Sequence, residues 1–355
     1  MSWRDIVRTV EPYVPGEQPA DTKVIKLNTN ENPYPAAPGV RELLEQASSD
    51  KVMDALRRYP DPTCSKLVNA LAAYHGVSPD RVFVGVGSDD VIAMAYMTFF
   101  GGDKPVIFPD ITYSFYPVWA DMLRVPYETV PLDEDFRIVT DDYVGRENSG
   151  IVIPNPNAPT GRLLPRDEIV RILDANRDSI VIIDEAYIDF SPEGSSVIDL
   201  TDSYDNLLVT RTYSKSRSLA GIRIGYAIGS AEIIKYMSDV KYSYNSYTLN
   251  YPAIEIGTKV LEDEEYFRTT CARIVSTRER FTGELSYLGF RVIPSGSNFV
   301  FASHPSVPAK EVFDKARACG IYFRYFNLPR IDNYLRITIG RDEDMDRVVE
   351  FLRDF

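Results

Sequence analysis

Up to about Tyr251, short β-branched runs bounded by turn residues alternate with amphipathic stretches of about a dozen residues. The runs predict strands over 81–86, 105–108, 124–130, 150–154, 180–183, 207–211 and 224–228. Between them, 67–74, 89–100 and 166–175 carry apolar residues at helical spacing, the second with Ser88 as its expected N-cap and Asp89 and Asp90 in its first turn. Strands separated by helices imply an α/β fold around a mostly parallel sheet. Beyond Tyr251 the texture changes. A long charged helical stretch over 264–288 precedes short strands near 291–293, 298–301 and 335–339, mixed with helices over 309–319 and 343–353, which reads as a smaller α+β lobe. Pro12, Pro15, Pro19, Pro33, Pro35 and Pro38 are too many for a core element, so the first 40 residues are expected to form an extended arm packed over the body. The expected organisation is an arm with part of the small domain (1–45), a large domain (46–265) and a small C-terminal domain (266–355).

Composition narrows the function. A chain of 355 residues with 44% hydrophobic and 26% charged side chains is neither disordered nor collagenous. Its net charge of −13, without any Lys/Arg block, opposes a phosphate backbone, so nucleic acid is not an expected partner. No apolar run approaches the roughly 20 residues that span a bilayer, and MSWRDIVRTV lacks the apolar centre of a signal peptide; a cytoplasmic protein is expected. Cys64, Cys271 and Cys319 form no C-x-x-C pair and are read as packing residues, with no disulfide and no metal site. The two histidines, His75 and His304, stand at element ends beside Gly76 and Pro305, and are read as loop residues. The chemistry must therefore rest on another base.

The informative chemistry begins at 181–190, VIIDEAYIDF, where an apolar strand runs into Asp184. The carboxylate is thereby set at the C-terminal end of a parallel strand, where open α/β sheets bind ligands. The next strand, NLLVTRT, leads into YSKSRSLAGIR, which brings Lys215 one strand further on, with Gly221 and Arg223 just beyond. An Asp and a Lys on adjacent strand ends, beside a phosphate cradle, are what pyridoxal 5′-phosphate requires. The lysine forms an imine with the aldehyde, and the Asp keeps the pyridine nitrogen protonated so that the ring accepts electrons from Cα. Donors for the phosphate are Thr212, Ser214, Arg223 and the helix N-terminus at GVGSDD.

These residues resemble the fold-type I pyridoxal-phosphate aminotransferases, and among them the histidinol-phosphate aminotransferase family. The likeness runs through LNTNENPYP (27–35), RYPDP (58–62), GVGSDD (85–90), DITYSFY (110–116), PNPNAPTG (154–161), DEAYIDF (184–190), TYSKSRSLAGIR (212–223), SGSNFV (295–300) and LRITIG (335–340). The resemblance implies a homodimeric transaminase with Lys215 as the imine-forming residue, Asp184 on the pyridine nitrogen, and Tyr187 on the ring hydroxyl oxygen. It also implies Tyr113 stacked on the ring, and Ser88, Asp89, Thr212, Ser214 and Arg223 at the phosphate. Tyr59 would reach the cofactor of the other subunit, Arg336 would clamp the substrate α-carboxylate, Arg324 would meet its distal anion, and Tyr13, Asn30 and Asn298 would line the substrate side. Two departures stand out. The family's Asn before Pro-Thr-Gly is Ala158 here, so either Asn157 takes the ring-oxygen contact or Tyr187 holds that oxygen alone. The stretch after the lysine is commonly a small residue, an aromatic and a glycine, whereas here it is Ser216-Arg217-Ser218, and Arg217 either adds charge near the phosphate or points to solvent. The implied reaction is transfer of an amino group between histidinol phosphate and 2-oxoglutarate. An aromatic amino acid aminotransferase, a phosphothreonine decarboxylase-like lyase and a noncatalytic pyridoxal-phosphate sensor are the alternatives.

Overall fold

A computed structural model describes residues 2–21 and 23–355. Its strands in chain order are β1 (Ile25–Lys26), β2 (Val82–Gly85), β3 (Val106–Pro109), β4 (Tyr127–Val130), β5 (Gly150–Pro154), β6 (Ile180–Asp184), β7 (Leu207–Thr212), β8 (Gly225–Ile228), β9 (Arg291–Ile293), β10 (Phe299–Ser303), β11 (Ile321–Tyr322), β12 (Arg324–Tyr325) and β13 (Leu335–Thr338). The helices are α1 (Pro38–Glu45), α2 (Asp50–Leu56), α3 (Ser65–His75), α4 (Ser88–Phe99), α5 (Phe115–Leu123), α6 (Arg166–Ala175), α7 (Ala231–Tyr244), α8 (Tyr251–Lys259), α9 (Glu264–Tyr287), α10 (Ala309–Ala318) and α11 (Asp342–Leu352).

Seven strands form the large sheet in the order β2-β8-β7-β6-β5-β3-β4, and only β8 runs against its neighbours. The fold is thus α/β with a mixed, mostly parallel sheet. Strand periodicity divides its side chains between two cores. Val82, Ile107, Ile151, Val181, Ile183 and Val209 face one side, with Leu67 and Leu71 of α3 and Ile169 and Ile172 of α6. Phe83, Phe108, Val152, Ile182 and Leu208 face the other, with Val91 and Ile92 of α4, Trp119 of α5 and Met237 of α7. Because both faces are covered, β6 reads as the continuous apolar run IVII, and its first polar residue, Asp184, emerges only where the strand leaves the sheet.

The second lobe packs α9, α10 and α11 on the antiparallel sheet β12-β13-β10-β9, around Phe281, Leu285, Phe299, Ile337, Met345 and Val348. Its core takes in Ile25, Leu27 and Tyr34 as well, since β1 pairs in parallel with β11. Buried Arg278 of α9 donates to Phe190 O (3.1 Å) and Ser297 O (2.7 Å), and so ties the loop after Asp184 to the segment carrying Asn298.

Several expectations change. The arm opens with a 3-10 turn at Trp3–Asp5 and runs without regular helix as far as Ala37, before α1 begins with Pro38 in its first turn; residues 2–12 are exposed, joined to the body by Arg8 donating to Met122 O (2.6 Å). The strand expected from Arg124 starts at Tyr127, because Arg124 ends α5 in a left-handed conformation (φ 59°). Cys319 is exposed, unlike the buried Cys64 and Cys271. His75 closes α3 with its Nε2 2.9 Å from the Tyr226 hydroxyl, and burial holds its pKa down to about 3. Among the described residues, no helix is long and apolar enough to cross a membrane.

Candidate active site

Strands β6 and β7 end side by side, in a register that pairs Asp184 with Thr210. The Asp184 carboxylate, 5% exposed, accepts the Thr210 hydroxyl on Oδ1 and the Tyr116 hydroxyl on Oδ2, both at 3.0 Å. Burial pushes its pKa from 3.8 up to about 6, against the pull of those two bonds. Three residues beyond β7, the Lys215 amine donates to Thr29 O (3.1 Å). Burial, and then the neighbouring Arg336 cation, lower its pKa from 10.5 to about 8. Both groups line one cavity of about 190 Å³. A carboxylate with a raised pKa and an amine with a lowered one, lining one cleft, are the pattern expected of a functional site.

At one end of this cavity lies the N-terminus of α4. Its cap is Gly87 (φ 85°, ψ 166°) and not Ser88, which is the first helical residue. That backbone conformation, essentially confined to glycine, is what demands the residue, and a Cβ would besides crowd the Arg223 guanidinium at 2.5 Å. Gly225 is equally constrained, as its Cβ would meet the Ser88 nitrogen at 2.2 Å. Arg223, itself left-handed (φ 62°), reaches Ser214 Oγ and Asp89 Oδ2, each at 3.4 Å, and the Thr212 hydroxyl donates to Ser214 Oγ (3.0 Å). Open helix N–H groups, two hydroxyls and a loosely engaged guanidinium form a receptor for a phosphate.

The walls are aromatic. Tyr113 donates to Asp89 Oδ1 (2.8 Å) and packs edge-on against Tyr116, with 5.7 Å between ring centroids. Tyr187 faces the cavity with its hydroxyl oxygen accepting from Asn30 Nδ2 (3.0 Å). Between them the lining residue is Ala158. Of the two candidates for the ring-oxygen contact, Asn157 is turned away from the cavity: Nδ2 donates to Ile111 O (2.9 Å) and Thr160 Oγ1 (3.0 Å), while Oδ1 accepts from Thr112 (3.1 Å). These three bonds fix the loop that presents Ala158, and leave the Asn157 side chain no donor for a ligand.

Opposite the phosphate end stand Arg336, Arg324 and Tyr13. Arg336 donates to Asn28 O (3.0 Å) and lies near the Phe299 and Phe326 rings, while its buried Nε has no partner. A buried guanidinium edge without an acceptor is expensive, and a carboxylate would satisfy it. Arg324 donates to Val14 O (3.3 Å), and Tyr13 stacks on Phe115 at 4.2 Å. Asn298 does not line the cavity; its Nδ2 donates to Asn30 O (3.0 Å) from behind. Tyr59 is 82% exposed and rests on Tyr247, outside its own chain's cavity. Arg217 is at neither expected place: it is buried 3.7 Å over the Phe267 ring, pairs with Glu264 (3.5 Å) and donates to Val260 O (3.3 Å). Sequence reasoning passed over Asn28, Thr29, Ala158 as a lining residue, and Tyr116. Asn28 stands in the LNTNENPYP segment, and that motif was the signal available for it.

An anion receptor, an imine-forming amine, a buried carboxylate and an orphaned guanidinium edge are the donor set that pyridoxal phosphate and an amino acid need, and the residues fit the group. The family described as aminotransferase class I and II matches residues 22–352. Histidinol-phosphate aminotransferase of Clostridium acetobutylicum is 49% identical over 352 residues, covering 99% of this chain and 98% of that protein. Histidinol-phosphate aminotransferase of Sinorhizobium meliloti, solved in complex with pyridoxal-5′-phosphate, superposes with a TM-score of 0.85 at 24% identity, over 93% of this chain and 90% of that one. L-threonine-O-3-phosphate decarboxylase of Porphyromonas gingivalis gives 0.79 at 22% identity, over 94% and 99%. Backbone likeness alone thus spans more than one reaction.

Proposed function

Because the chain belongs to the class I and II aminotransferases, in the histidinol-phosphate aminotransferase family, we propose that its cavity exchanges an amino group between L-histidinol phosphate and 2-oxoglutarate, giving imidazole-acetol phosphate and L-glutamate. The observation that carries this reading is Lys215 and Asp184 facing one cavity between Arg223 at one end and Arg336 with Arg324 at the other.

Pyridoxal phosphate, when bound, supplies an aldehyde that takes up the amino group and a ring that accepts the electron pair released at the substrate's Cα. The residues of the chain do the rest. Ser88, Asp89, Thr212, Ser214 and Arg223 hold the phosphate end, with Tyr113 against the ring face and Tyr187 at the ring oxygen. Asp184 keeps a proton on the pyridine nitrogen, and the hydroxyls of Tyr116 and Thr210 aim its carboxylate. Lys215, whose free amine is more accessible than in an ordinary lysine, would hold the cofactor and, once the substrate's amino group has displaced it, would take up the proton released at the substrate's Cα. Arg336 grips the α-carboxylate of glutamate through its fork. Arg324 meets the distal anion, a carboxylate in one half-reaction and a phosphate in the other. Tyr59, exposed on one chain, completes the cavity of a second copy in a homodimer.

The test is incubation of the cofactor-loaded protein with 2-oxoglutarate and, in turn, histidinol phosphate, phosphothreonine and phenylalanine. Glutamate formed chiefly from histidinol phosphate is the expected result. Carbon dioxide released from phosphothreonine would make the protein a lyase, and preference for phenylalanine would make it an aromatic aminotransferase.

A further inference from the structure

Ala158 leaves the ring-oxygen side of the cavity with one hydroxyl donor, Tyr187, and the direction of that hydroxyl's single proton then decides whether the oxygen receives a hydrogen bond at all. Hydrogen-bond bookkeeping around Asn30 gives the direction. The Thr338 hydroxyl accepts the Asn30 backbone N–H (3.0 Å), and its one proton goes to the Asn30 side chain (3.1 Å). The atom receiving it is the carboxamide oxygen, because the flipped amide would turn Nδ2 onto Thr338 and leave that 2%-exposed hydroxyl, which has no other acceptor among the described residues, with its proton unpaired. That orientation turns Nδ2 onto the Tyr187 oxygen (3.0 Å), so Tyr187 is the acceptor in this bond and keeps its own proton. Among the described residues, the Tyr187 hydroxyl makes no other hydrogen bond, and the residue faces the cavity.

Asn30 is placed for this task at some cost. It is 1% exposed and left-handed (φ 56°), a conformation a non-glycine residue adopts rarely, and Asn298 clamps its carbonyl at 3.0 Å. The same strand, β13, carries Thr338 and, two residues earlier on the same face, Arg336, which donates to Asn28 O. The substrate-gripping arginine and the tyrosine-orienting threonine therefore hold neighbouring rungs of one segment, Asn28 to Asn30.

We propose that Asn30, fixed by Thr338, is a positioning residue that directs the Tyr187 proton into the cavity and makes Tyr187 the sole side-chain donor to the ring oxygen of bound pyridoxal phosphate. This inference rests on the cofactor reading above. A donor at that oxygen favours its deprotonated form, so losing the donor raises the pKa of the bound chromophore and weakens cofactor affinity.

Asn30→Gly tests this cleanly, since glycine keeps the left-handed backbone and removes only the carboxamide. Visible absorbance of the bound cofactor is titrated against pH, and affinity is measured by fluorescence titration of cofactor-free protein. Asn30→Gly is expected to raise the chromophore pKa by about half to one unit and to weaken binding roughly three- to tenfold, in the direction of Tyr187→Phe. Thr338→Val, which frees the carboxamide to turn, should shift both in the same sense. Adding Ala158→Asn to Asn30→Gly restores a donor and should recover both values. An unchanged chromophore pKa in Asn30→Gly would overturn the proposal, as would a shift that Ala158→Asn does not rescue, because that pattern marks a merely structural asparagine. If the unaltered protein showed no visible band with the cofactor, the underlying cofactor reading would fail and take this one with it.

Discussion

Asp184 and Lys215 are each kept in a state that folding alone would not choose. In cofactor-free protein the Asp184 pKa stands at about 6 against 3.8, so between those values the folded chain binds more protons than the unfolded one, and stability falls as pH rises through that window. For Lys215, lowered from 10.5 to about 8, the folded chain binds fewer protons, and stability rises with pH from about 8 to 10.5. Thermal midpoints of the cofactor-free protein should show the first slope, and Asp184→Asn should abolish it. Loading the cofactor should also abolish it, because a pyridinium paired with the carboxylate brings its pKa back down. A slope that persists in Asp184→Asn would assign it to another group. Tyr116 gives a second residue-scale test. Its hydroxyl is one of two that aim the Asp184 carboxylate, and a hydrogen bond to a charged group is worth about 1.5–3 kcal/mol. Tyr116→Phe should keep the cofactor bound but slow Cα deprotonation of glutamate by roughly tenfold or more in single-turnover measurements. An unchanged rate would leave Thr210 as the only hydroxyl needed.

Elements explain why some of this was legible in the sequence. The strands of the large sheet are buried on both faces, so β5, β6 and β7 stand out as apolar runs, and the polar residue ending β6 marks the site directly. Helices α6 and α9 were readable from their charged and apolar spacing, whereas α7 and α8 were not picked out. The antiparallel direction of β8 had no local signal either, since pairing direction is set by the connection and not by composition. Two-residue strands such as β1 and β11 exist through tertiary pairing alone. Within the site, Lys215, Asp184 and Arg223 announced themselves by strand ends and glycines. The choice between Asn157 and Tyr187 stayed open because sequence shows which residue is adjacent and not which way a loop turns it, and Arg217 was misplaced because a cation was not expected to bury itself between Phe267 and Tyr74. The close approach of β8 to the start of α4 supplies the prediction at this scale. Gly225→Ala would drive a methyl group into the Gly87–Ser88 backbone, displacing the phosphate receptor. Cofactor affinity should fall at least tenfold, by the same fluorescence titration, with a lower thermal midpoint. Wild-type affinity would show that the helix start can move without loss.

At the scale of the whole molecule, the site gathers Tyr13 from the arm, Asn30 beside the small lobe, Lys215 from the large sheet and Arg336 from β13, so it exists only when both lobes and the N-terminal segment are assembled. The exposed Trp3, Ile6, Val7, Leu44 and Met53 supply apolar surface for the proposed homodimer, in which Tyr59 would cross to the partner. Co-refolding inactive Lys215→Ala chains with Tyr59→Ala chains should then create one intact site per mixed dimer, and recover about a quarter of full activity at equal amounts. No recovery from two inactive chains would mean that Tyr59 serves its own chain, and full activity of Tyr59→Ala alone would mean that it serves none. Everything else in the account depends on Lys215 as the residue that holds the cofactor. The direct measurement is borohydride reduction of the pyridoxal-phosphate-loaded protein, followed by peptide mapping by mass spectrometry. The pyridoxyl group should be found on the peptide containing Lys215, at about one per chain, and should be absent from Lys215→Ala. A label on a different lysine, or none, would contradict the assignment of the site.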